Sequence, residues 1–234
     1  MKVLLVNGSS HAHGTTMRAL EEMIQIFDAE GVETEFIQLG AQAYKDCLQC
    51  GACRKTGKCA FGDDDGVNAF IDKAREADGF VFASPTYYAH PSGRIFSFLD
   101  RVFFAAGKDV FRYKVGAAVA VARRGGNSAN FDALNKYFTI SEMPVASSTY
   151  WNMAHGHNAE EAAQDAEGMQ TMRNLARNMV WMMRCFAAGK AAGVPYPASE
   201  YGASPILSAK TRQRGTIFCD RSALQTVDKS YFGI

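Results

Sequence analysis

The sequence predicts an α/β protein built around a doubly wound parallel sheet of five strands, with helices on both faces and an irregular C-terminal extension. Two observations predict this fold. Short apolar segments alternate with longer helical patterns from the first residue to about residue 190, and this alternation is typical of βαβ units. The strand candidates are also nearly continuous apolar runs, as expected of parallel strands that are buried on both faces.

Four short, mainly apolar segments are clear strand candidates. They are Lys2–Val6, Glu35–Leu39, Gly79–Ala83 and Val115–Ala122. A fifth candidate, Pro144–Ser148, is a weaker one because it is short and more polar. Together they supply the five strands of the predicted sheet.

Helical periodicity predicts five helices between and after these strands. Their ranges are 15–30, 67–77, 93–106, 129–140 and 165–189. In the third helix, apolar residues fall on one stripe and predict a packing face. The last helix is rich in Met, with more apolar surface than a lone exposed helix tolerates, so we expect it to pack on the sheet or on a second subunit.

The composition changes after the last predicted helix. We expect residues 1–190 to form one domain and residues 191–234 to form an extension, because Gly and Pro interrupt the latter and clear periodicity is missing outside Gly215–Asp220. The extension is a candidate for packing on a neighbouring subunit.

The bulk composition narrows the classes of function. The formal net charge is +1, which gives no general electrostatic reason to expect a nucleic acid or an anionic membrane as partner. No apolar stretch approaches the roughly 20 residues of a membrane helix, and the N-terminus lacks a signal-peptide pattern. We therefore expect a cytoplasmic protein that binds a small molecule.

A loop rich in Gly, Ser and Thr follows the first predicted strand, at residues 8–16. Such a loop aims backbone N–H groups and hydroxyls at an anion. Its spacing matches neither a Walker A loop nor the G-x-G-x-x-G dinucleotide pattern. It suits a terminal phosphomonoester, such as the phosphate of FMN. The alternative is a plain βα turn in which Thr15 or Thr16 caps the helix.

A second loop, at residues 83–93, follows the third predicted strand and contains Tyr87 and Tyr88. Ligands of open parallel sheets bind beyond the carboxyl ends of the strands, near the topological switch point. We therefore expect the first and second loops to meet at one crevice, where the tyrosines offer flat surfaces to an aromatic ring system.

Four cysteines lie within thirteen residues, with the spacing C-x2-C-x2-C-x5-C. They are Cys47, Cys50, Cys53 and Cys59. If residues 47–53 form about two helical turns, the first three cysteines share one side, and Gly57 lets the chain turn so that Cys59 completes the set. This arrangement suits a [4Fe-4S] cluster. Zinc and redox-active thiols remain the alternatives, and a reducing cytosol argues against disulfides.

The chain resembles the flavodoxin-like NAD(P)H-dependent FMN reductases from Met1 to about residue 190. The motifs that carry the resemblance are Gly8-Ser9, Gly14 and Thr16 in the first loop, Ser84-Pro85-Thr86-Tyr87 in the second, and Asp100-Arg101 at the end of a helix. The fold implied is a flavodoxin-like one. The chain departs from the family pattern at Ser10, His11 and Thr15, where Pro, Arg and Asn are usual.

Within that family, the chain is most similar to the iron–sulfur flavoproteins. In those proteins a compact cysteine run is followed by an acidic stretch, as Cys59 is followed here by residues 63–65. A late Gly-Met-Gln-Thr is a further shared feature, found here at residues 168–171.

The resemblance implies a binding role for three groups of residues. The FMN phosphate would be held by Ser9, His11, Thr15 and Thr16; the isoalloxazine ring would be lined by Pro85, Thr86, Tyr87 and Tyr88; and a third loop would consist of Arg123, Arg124, Gly125 and Gly126. No side chain need act as an acid or base, because the flavin carries the chemistry. Tyr87 and Arg124 are the candidates for positioning the ring or the substrate.

The function predicted is that of an FMN-dependent oxidoreductase. NADPH or NADH would be the electron donor, and a quinone, free flavin, nitro compound or azo compound the acceptor. The first alternative is an electron carrier with a ferredoxin-like partner and no small-molecule substrate, and the second is a redox sensor that acts through its thiols. The resemblance also implies a homodimer or homotetramer.

Overall fold

The structure, a computed structural model, describes residues 1–198. Met1–Gly193 form one compact unit. Most of the predicted extension, including Gly215–Asp220, lies outside the described residues.

Six strands and eight helices alternate along the described chain. The strands are β1 (Lys2–Asn7), β2 (Glu33–Gln38), β3 (Gly79–Tyr87), β4 (His90–Pro91), β5 (Val115–Ala122) and β6 (Met153–His155). The helices are α1 (Thr15–Ala29), α2 (Cys53–Thr56), α3 (Val67–Glu76), α4 (Gly93–Ala106), α5 (Lys108–Phe111), α6 (Asn127–Ile140), α7 (Ala159–Gln164) and α8 (Ala166–Ala191). The five predicted helices are present as α1, α3, α4, α6 and α8.

The sheet confirms the predicted doubly wound fold. Its five parallel strands lie in the order β2-β1-β3-β5-β6, and the short strand β4 pairs antiparallel with the end of β3. In the register, Leu4 of β1 lies between Glu35 of β2 and Phe80 of β3. The chain winds outward from β1 in both directions, which places a topological switch point between β1 and β3.

Two hydrophobic cores lie on opposite faces of the sheet, because successive strand residues point to opposite sides. Leu5 and Val81 point to the face covered by α1 and α8. Leu4 and Phe80 point to the face covered by α3, α4, α5 and α6. The methionines of α8 belong to the first core, so the Met-rich helix covers the sheet of its own chain. No helix within residues 1–198 has the length and apolar content needed to cross a membrane.

The prediction of Pro144–Ser148 as the fifth strand is wrong. That segment makes one isolated parallel bridge, between Val145 and Gly116, and the fifth parallel strand is β6, which pairs with Ala120–Ala122. The first part of the segment bonds to β5, where Gly116 N–H donates to Pro144 O at 2.9 Å and Ala146 N–H donates to Gly116 O at 2.8 Å. Its last two residues bond to α8 instead. The Asn178 amide donates to Ser147 O at 2.7 Å, and the Ser148 hydroxyl donates to Thr171 O at 2.7 Å.

Candidate functional site

A cleft of about 890 Å³ opens beyond the carboxyl ends of β1, β3 and β5. It lies beside the topological switch point, where doubly wound proteins bind their ligands. The first loop forms one wall, and the end of β3 forms another. The volume falls in the range of cofactor and small-molecule sites.

The first loop is held in shape by polar side chains at the ends of β1 and β2. Ser9 N–H donates to Asn7 Oδ1 at 2.9 Å. Gln38 Nε2 donates to Ser9 O at 2.7 Å, and Asn7 Nδ2 donates to Gln38 Oε1 at 2.8 Å. These three side-chain bonds fix the loop before any ligand is present.

Gly8 lets this loop approach β3 and α4 closely. A Cβ on Gly8 would lie 2.9 Å from Ile95 Cβ and 3.1 Å from Ala83 O. The Ser92 hydroxyl donates to Gly8 O at 2.7 Å, and Ser92 N–H donates to Ser84 Oγ at 2.9 Å. The first loop and the β3 loop are therefore fixed to each other, as the sequence predicted.

The start of α1 has the donors that a phosphate needs. Its N-cap is Gly14, which has no side-chain cap, so the first N–H groups of the helix, including those of Thr15 and Thr16, have no intrahelical acceptor. The alternative in which Thr15 or Thr16 caps the helix is wrong. Ser9 Oγ accepts from His11 N–H at 3.1 Å, which leaves the hydroxyl hydrogen of Ser9 available to a ligand. This donor set fits an anionic phosphate.

The ionisable side chains around the cleft are mostly basic. His11, His13, Arg123 and His157 line it, and Glu160 is the one carboxylate among the lining residues that the structure describes. Basic side chains close to uncapped helix N–H groups favour an anion.

The wall formed by the end of β3 is also rigid. Pro85, Thr86 and Tyr87 line the cleft. Asn130 Nδ2 donates to Thr86 Oγ1 at 2.8 Å and to Ser84 O at 3.2 Å. Thr86 and Tyr87 also pair with β4 across a hairpin. A flat ring in the cleft would meet a wall that does not have to rearrange.

Four of the residues implied by the family resemblance lie outside the cleft wall. Tyr88 is 99% exposed at the tip of the β3–β4 hairpin, with a φ of 50°. Arg124, Gly125 and Gly126 are not among the residues that line the cleft. The physical reason is Gly126, whose φ of 92° turns the chain toward α6 and places it beside Ala89 of the hairpin. Of the third loop, the structure brings Arg123 to the cleft.

One part of the wall was not predicted from the sequence. It is the segment from Gly156 to Glu160, which comprises the loop between β6 and α7 and the first two residues of α7. Thr15 Oγ1 donates to Gly156 O at 3.3 Å, which joins this loop to the start of α1. This segment follows the fifth parallel strand, β6. Because the fifth strand was predicted at residues 144–148, the residues after β6 were not predicted to line the site. The available signal was the apolar Met153-Ala154 directly before the loop.

All four clustered cysteines line a second pocket, together with Phe61, Arg101 and Phe104. Cys53 is buried and its Sγ lies 3.8 Å from Phe104 O, and burial raises the pKa of this thiol. The prediction of two helical turns over residues 47–53 is wrong, because helix α2 begins only at Cys53. Gly57 has a φ of 66° and turns the chain as predicted.

Within residues 1–198, no three His, Cys, Asp or Glu side chains are close enough together to hold one metal ion. A single zinc ion would need sulfurs about 2.3 Å from it. The four thiols instead surround a pocket, an arrangement that fits a larger group with several sulfur ligands better than it fits one ion.

The fourth cysteine is held in position by its neighbours. Cys59 N–H donates to Asn68 Oδ1 at 2.7 Å, and Asn68 Nδ2 donates back to Cys59 O at 3.0 Å. Arg101 Nε donates to Cys59 Sγ at 3.2 Å. Arg101 Nη2 is buried and has no hydrogen-bond partner among the described residues. An anionic group with sulfur acceptors in this pocket would supply that partner, so the residues present fit an iron–sulfur cluster.

Comparisons of the sequence with known proteins point to flavoproteins. The model of the family NADPH-dependent FMN reductase matches residues 1–158. An iron-sulfur flavoprotein of Methanocaldococcus jannaschii is 31% identical over 191 residues, which cover 79% of this chain and 98% of the relative. An iron-sulfur flavoprotein of Methanosarcina thermophila is 26% identical over 182 residues, which cover 76% of this chain and 93% of the relative.

Solved structures share the fold at low sequence identity. A flavodoxin, WrbA-like protein from Agrobacterium tumefaciens superimposes with a TM-score of 0.54 at 17% identity, over 79% of this chain and 98% of that one. An NADH:FMN oxidoreductase in its apo form superimposes with a TM-score of 0.57 at 16% identity, over 77% of this chain and 88% of that one. These similarities confirm the flavodoxin-like fold.

Proposed function

This chain belongs to the NADPH-dependent FMN reductase family, and from that membership we propose that it is an FMN-dependent oxidoreductase. The electron donor is NADPH or NADH, and the acceptor is a small molecule such as a quinone, a free flavin, or a nitro or azo compound. The observation that carries this proposal is the cleft beside the β1/β3 switch point, where an uncapped helix start faces a rigid, tyrosine-bearing wall.

The first loop holds the FMN phosphate in this proposal. Backbone N–H groups at the start of α1, including that of Thr15, and the hydroxyls of Ser9 and Thr16 are the donors. Arg123 contributes positive charge beside them, and His11 also lines this part of the cleft. Ser9 and Thr16 are buried, so their hydroxyls act where water competes little.

The β3 wall orients the ring. Bound FMN supplies the centre that accepts and releases hydride or electrons. Pro85, Thr86 and Tyr87 line the ring site, and the bond from Asn130 to Thr86 Oγ1 keeps that wall in place. Tyr87 is the positioning residue that the geometry favours, because Arg124 does not line the cleft.

We further propose that Cys47, Cys50, Cys53 and Cys59 bind a [4Fe-4S] cluster that exchanges electrons with FMN. The shared pocket supports this proposal, and so does the similarity to iron-sulfur flavoproteins. Helix α4 connects the two sites: Ser92 binds the first loop just before it, and Arg101 binds Cys59 from within it. Nine residues of helix span about 14 Å along the axis.

The same pocket supports a second candidate function. If the cluster receives electrons from a ferredoxin-like protein, the chain acts as an electron carrier without a small-molecule substrate. Steady-state assays of NADPH and NADH oxidation with a quinone acceptor separate the two. Turnover with either nucleotide supports the reductase. Rapid reduction by ferredoxin, with no oxidation of either nucleotide, supports the carrier.

We also propose a cytoplasmic homodimer or homotetramer. Because the α8 methionines are buried within the chain, support comes instead from exposed aromatic residues such as Trp181, which is 68% exposed on α8. Light scattering tests this proposal, and a particle mass near the 25.5 kDa of one chain would contradict it.

The phosphate role of the first loop is tested by Thr16→Val, which removes a buried hydroxyl and keeps the side-chain volume. A hydrogen bond to a charged group contributes about 1.5–3 kcal/mol, so we expect FMN affinity to fall roughly 10-fold to 100-fold. Titration of the apoprotein with FMN, followed by flavin fluorescence, measures the change. The control is Thr171→Val, a buried threonine of α8 away from the cleft, which should leave the affinity unchanged. Equal effects in both variants would exclude a phosphate role for Thr16.

A further inference from the structure

Arg101 is the largest side chain that is fully buried in the described part of the chain. It lies on α4 and lines the cysteine pocket. A buried cation is costly unless partners surround it. The groups that contact Arg101 therefore indicate its role.

Three groups contact the guanidinium. Nη1 forms an ion pair with Asp65, Nε donates to Cys59 Sγ at 3.2 Å, and the ring of Phe61 lies 4.9 Å from Cζ. The guanidinium of an arginine stays protonated in proteins whatever its surroundings. Arg101 is therefore a permanent positive charge beside the cysteine set.

The hydrogen bonding of this pocket is incomplete as the protein alone presents it. The carboxylate of Asp65 balances the charge of Arg101, but Nη2 stays buried without a hydrogen-bond partner among the described residues. A group that carries negative charge and sulfur acceptors would accept from the N–H groups that remain.

We propose that Arg101 is a positioning residue for the cluster, which fixes Cys59 as a ligand and raises the reduction potential of the cluster. This inference rests on the proposed [4Fe-4S] site. Asn68 holds the backbone of Cys59, and Arg101 holds its sulfur. Hydrogen bonds to the sulfurs and the net charge around a cluster set its potential, and a donor with positive charge stabilises the reduced, more negative state.

The test compares the anaerobically purified wild-type protein with Arg101→Gln/Asp65→Asn, which removes both partners of the buried pair and avoids leaving one charge alone. Redox titration monitored by electron paramagnetic resonance measures the cluster potential. We expect the equilibrium constant for cluster reduction to fall at least tenfold, which is about 59 mV for one electron, because the hydrogen bond from Arg101 to Cys59 Sγ is lost while the net charge of the pocket stays the same. FMN content should be unchanged, which shows that the fold is intact. The control Arg54→Gln removes an exposed cation next to Cys53. It should change the equilibrium constant for cluster reduction by less than about twofold.

A second measurement does not depend on the variant folding. Protein with ¹⁵N-labelled arginine, in the Arg54→Gln background, should show a ¹⁵N coupling to the reduced cluster in pulsed electron paramagnetic resonance. Three results together would overturn the role of Arg101 and leave the cluster proposal standing. They are a cluster in the wild-type protein, no ¹⁵N coupling in the labelled protein, and an unchanged potential in the double variant. A wild-type protein with FMN but no iron would overturn the cluster proposal and this inference with it.

Discussion

Glu22 is a buried carboxylate held between two helices by two arginines. Arg173 Nη1 of α8 donates to Glu22 Oε2 at 2.6 Å, and Arg18 of α1 pairs with the other oxygen. Burial alone would raise the pKa of Glu22, but the bonds from Arg173 and Arg18 outweigh it and leave the pKa below its usual range. This residue joins α1, which begins at the cleft, to the helix that covers the same face of the sheet.

Replacing Glu22 with Gln should therefore destabilise the protein in a pH-dependent way. At neutral pH the loss of the buried charge should cost about 1–3 kcal/mol. A carboxyl with a lowered folded pKa stabilises the fold above its unfolded pKa of about 4.3, and that contribution is lost as the pH falls through the folded pKa. The difference between wild type and E22Q should thus shrink below about pH 4. Urea unfolding at several pH values measures it.

The matched control is Glu30→Gln. Glu30 also pairs with a helix α8 arginine, Arg184, at 2.9 Å, but both side chains are exposed by a third or more. Exposed ion pairs contribute about 0–1 kcal/mol, so E30Q should change stability little at any pH. A pH-independent loss in E22Q, or an equal loss in E30Q, would contradict the role assigned to Glu22.

At the scale of elements, the β3–β4 hairpin presents the most constrained backbone near the cleft. Its two turn residues, Tyr88 and Ala89, have φ values of 50° and 63°. Two-residue turns with positive φ match the twist of the strands, but they favour Gly, Asn and Asp. Thr86 and Tyr87 pair with β4, and this pairing keeps the two turn residues in their strained conformation. Thr86 and Tyr87 also form part of the cleft wall.

Ala89→Gly should stabilise the protein. Relief of the positive φ is worth about 1–2 kcal/mol, and the greater freedom of Gly in the unfolded chain costs about 0.4–1 kcal/mol. The expected net gain is about 0.5–1 kcal/mol, measured as a higher urea midpoint. The control is Ala187→Gly at an exposed position of α8, which should cost about 1 kcal/mol. A loss in Ala89→Gly as large as that of the control would show that the turn is not strained.

The sequence predicted long elements well and short ones poorly. Helices such as α4 and α8 span several turns, so their apolar stripes repeat often enough to be recognised. The three-residue strand β6 and the four-residue helices α2 and α5 carry no period of their own. Their positions depend on tertiary contacts, as the bonds from α8 to Ser147 and Ser148 show for the misplaced fifth strand.

At the candidate sites of the whole molecule, local sequence patterns could likewise be recognised, and contacts between distant residues could not. The positions of the loops after parallel strands predicted that residues 8–16 and 83–93 would meet, because such strands bring their carboxyl ends together. Spacing in the sequence identified the four cysteines. It could not place Arg101 on Cys59, since that contact joins residues 42 positions apart. Nor could it show that Arg124 does not line the cleft, in a loop where Gly126 has a φ of 92°.

The whole molecule combines two candidate redox sites on one flavodoxin-like domain. Ser92, just before α4, fixes the loop of the flavin cleft, and Arg101, within α4, contacts the cysteine pocket. A rigid helix between them keeps the distance constant. The central claim is that this chain binds FMN in the cleft and an iron–sulfur cluster in the cysteine pocket.

The most direct test is anaerobic purification of the protein, followed by a visible spectrum and assays of flavin, iron and acid-labile sulfide. A Cys50→Ser variant purified in parallel serves as a control, because it removes one exposed cysteine of the proposed cluster site. The wild type should contain FMN and about four iron atoms and four sulfides per chain, and the variant should keep FMN and lose iron. Flavin without iron in the wild type would contradict the cluster, and the absence of both would contradict the whole account.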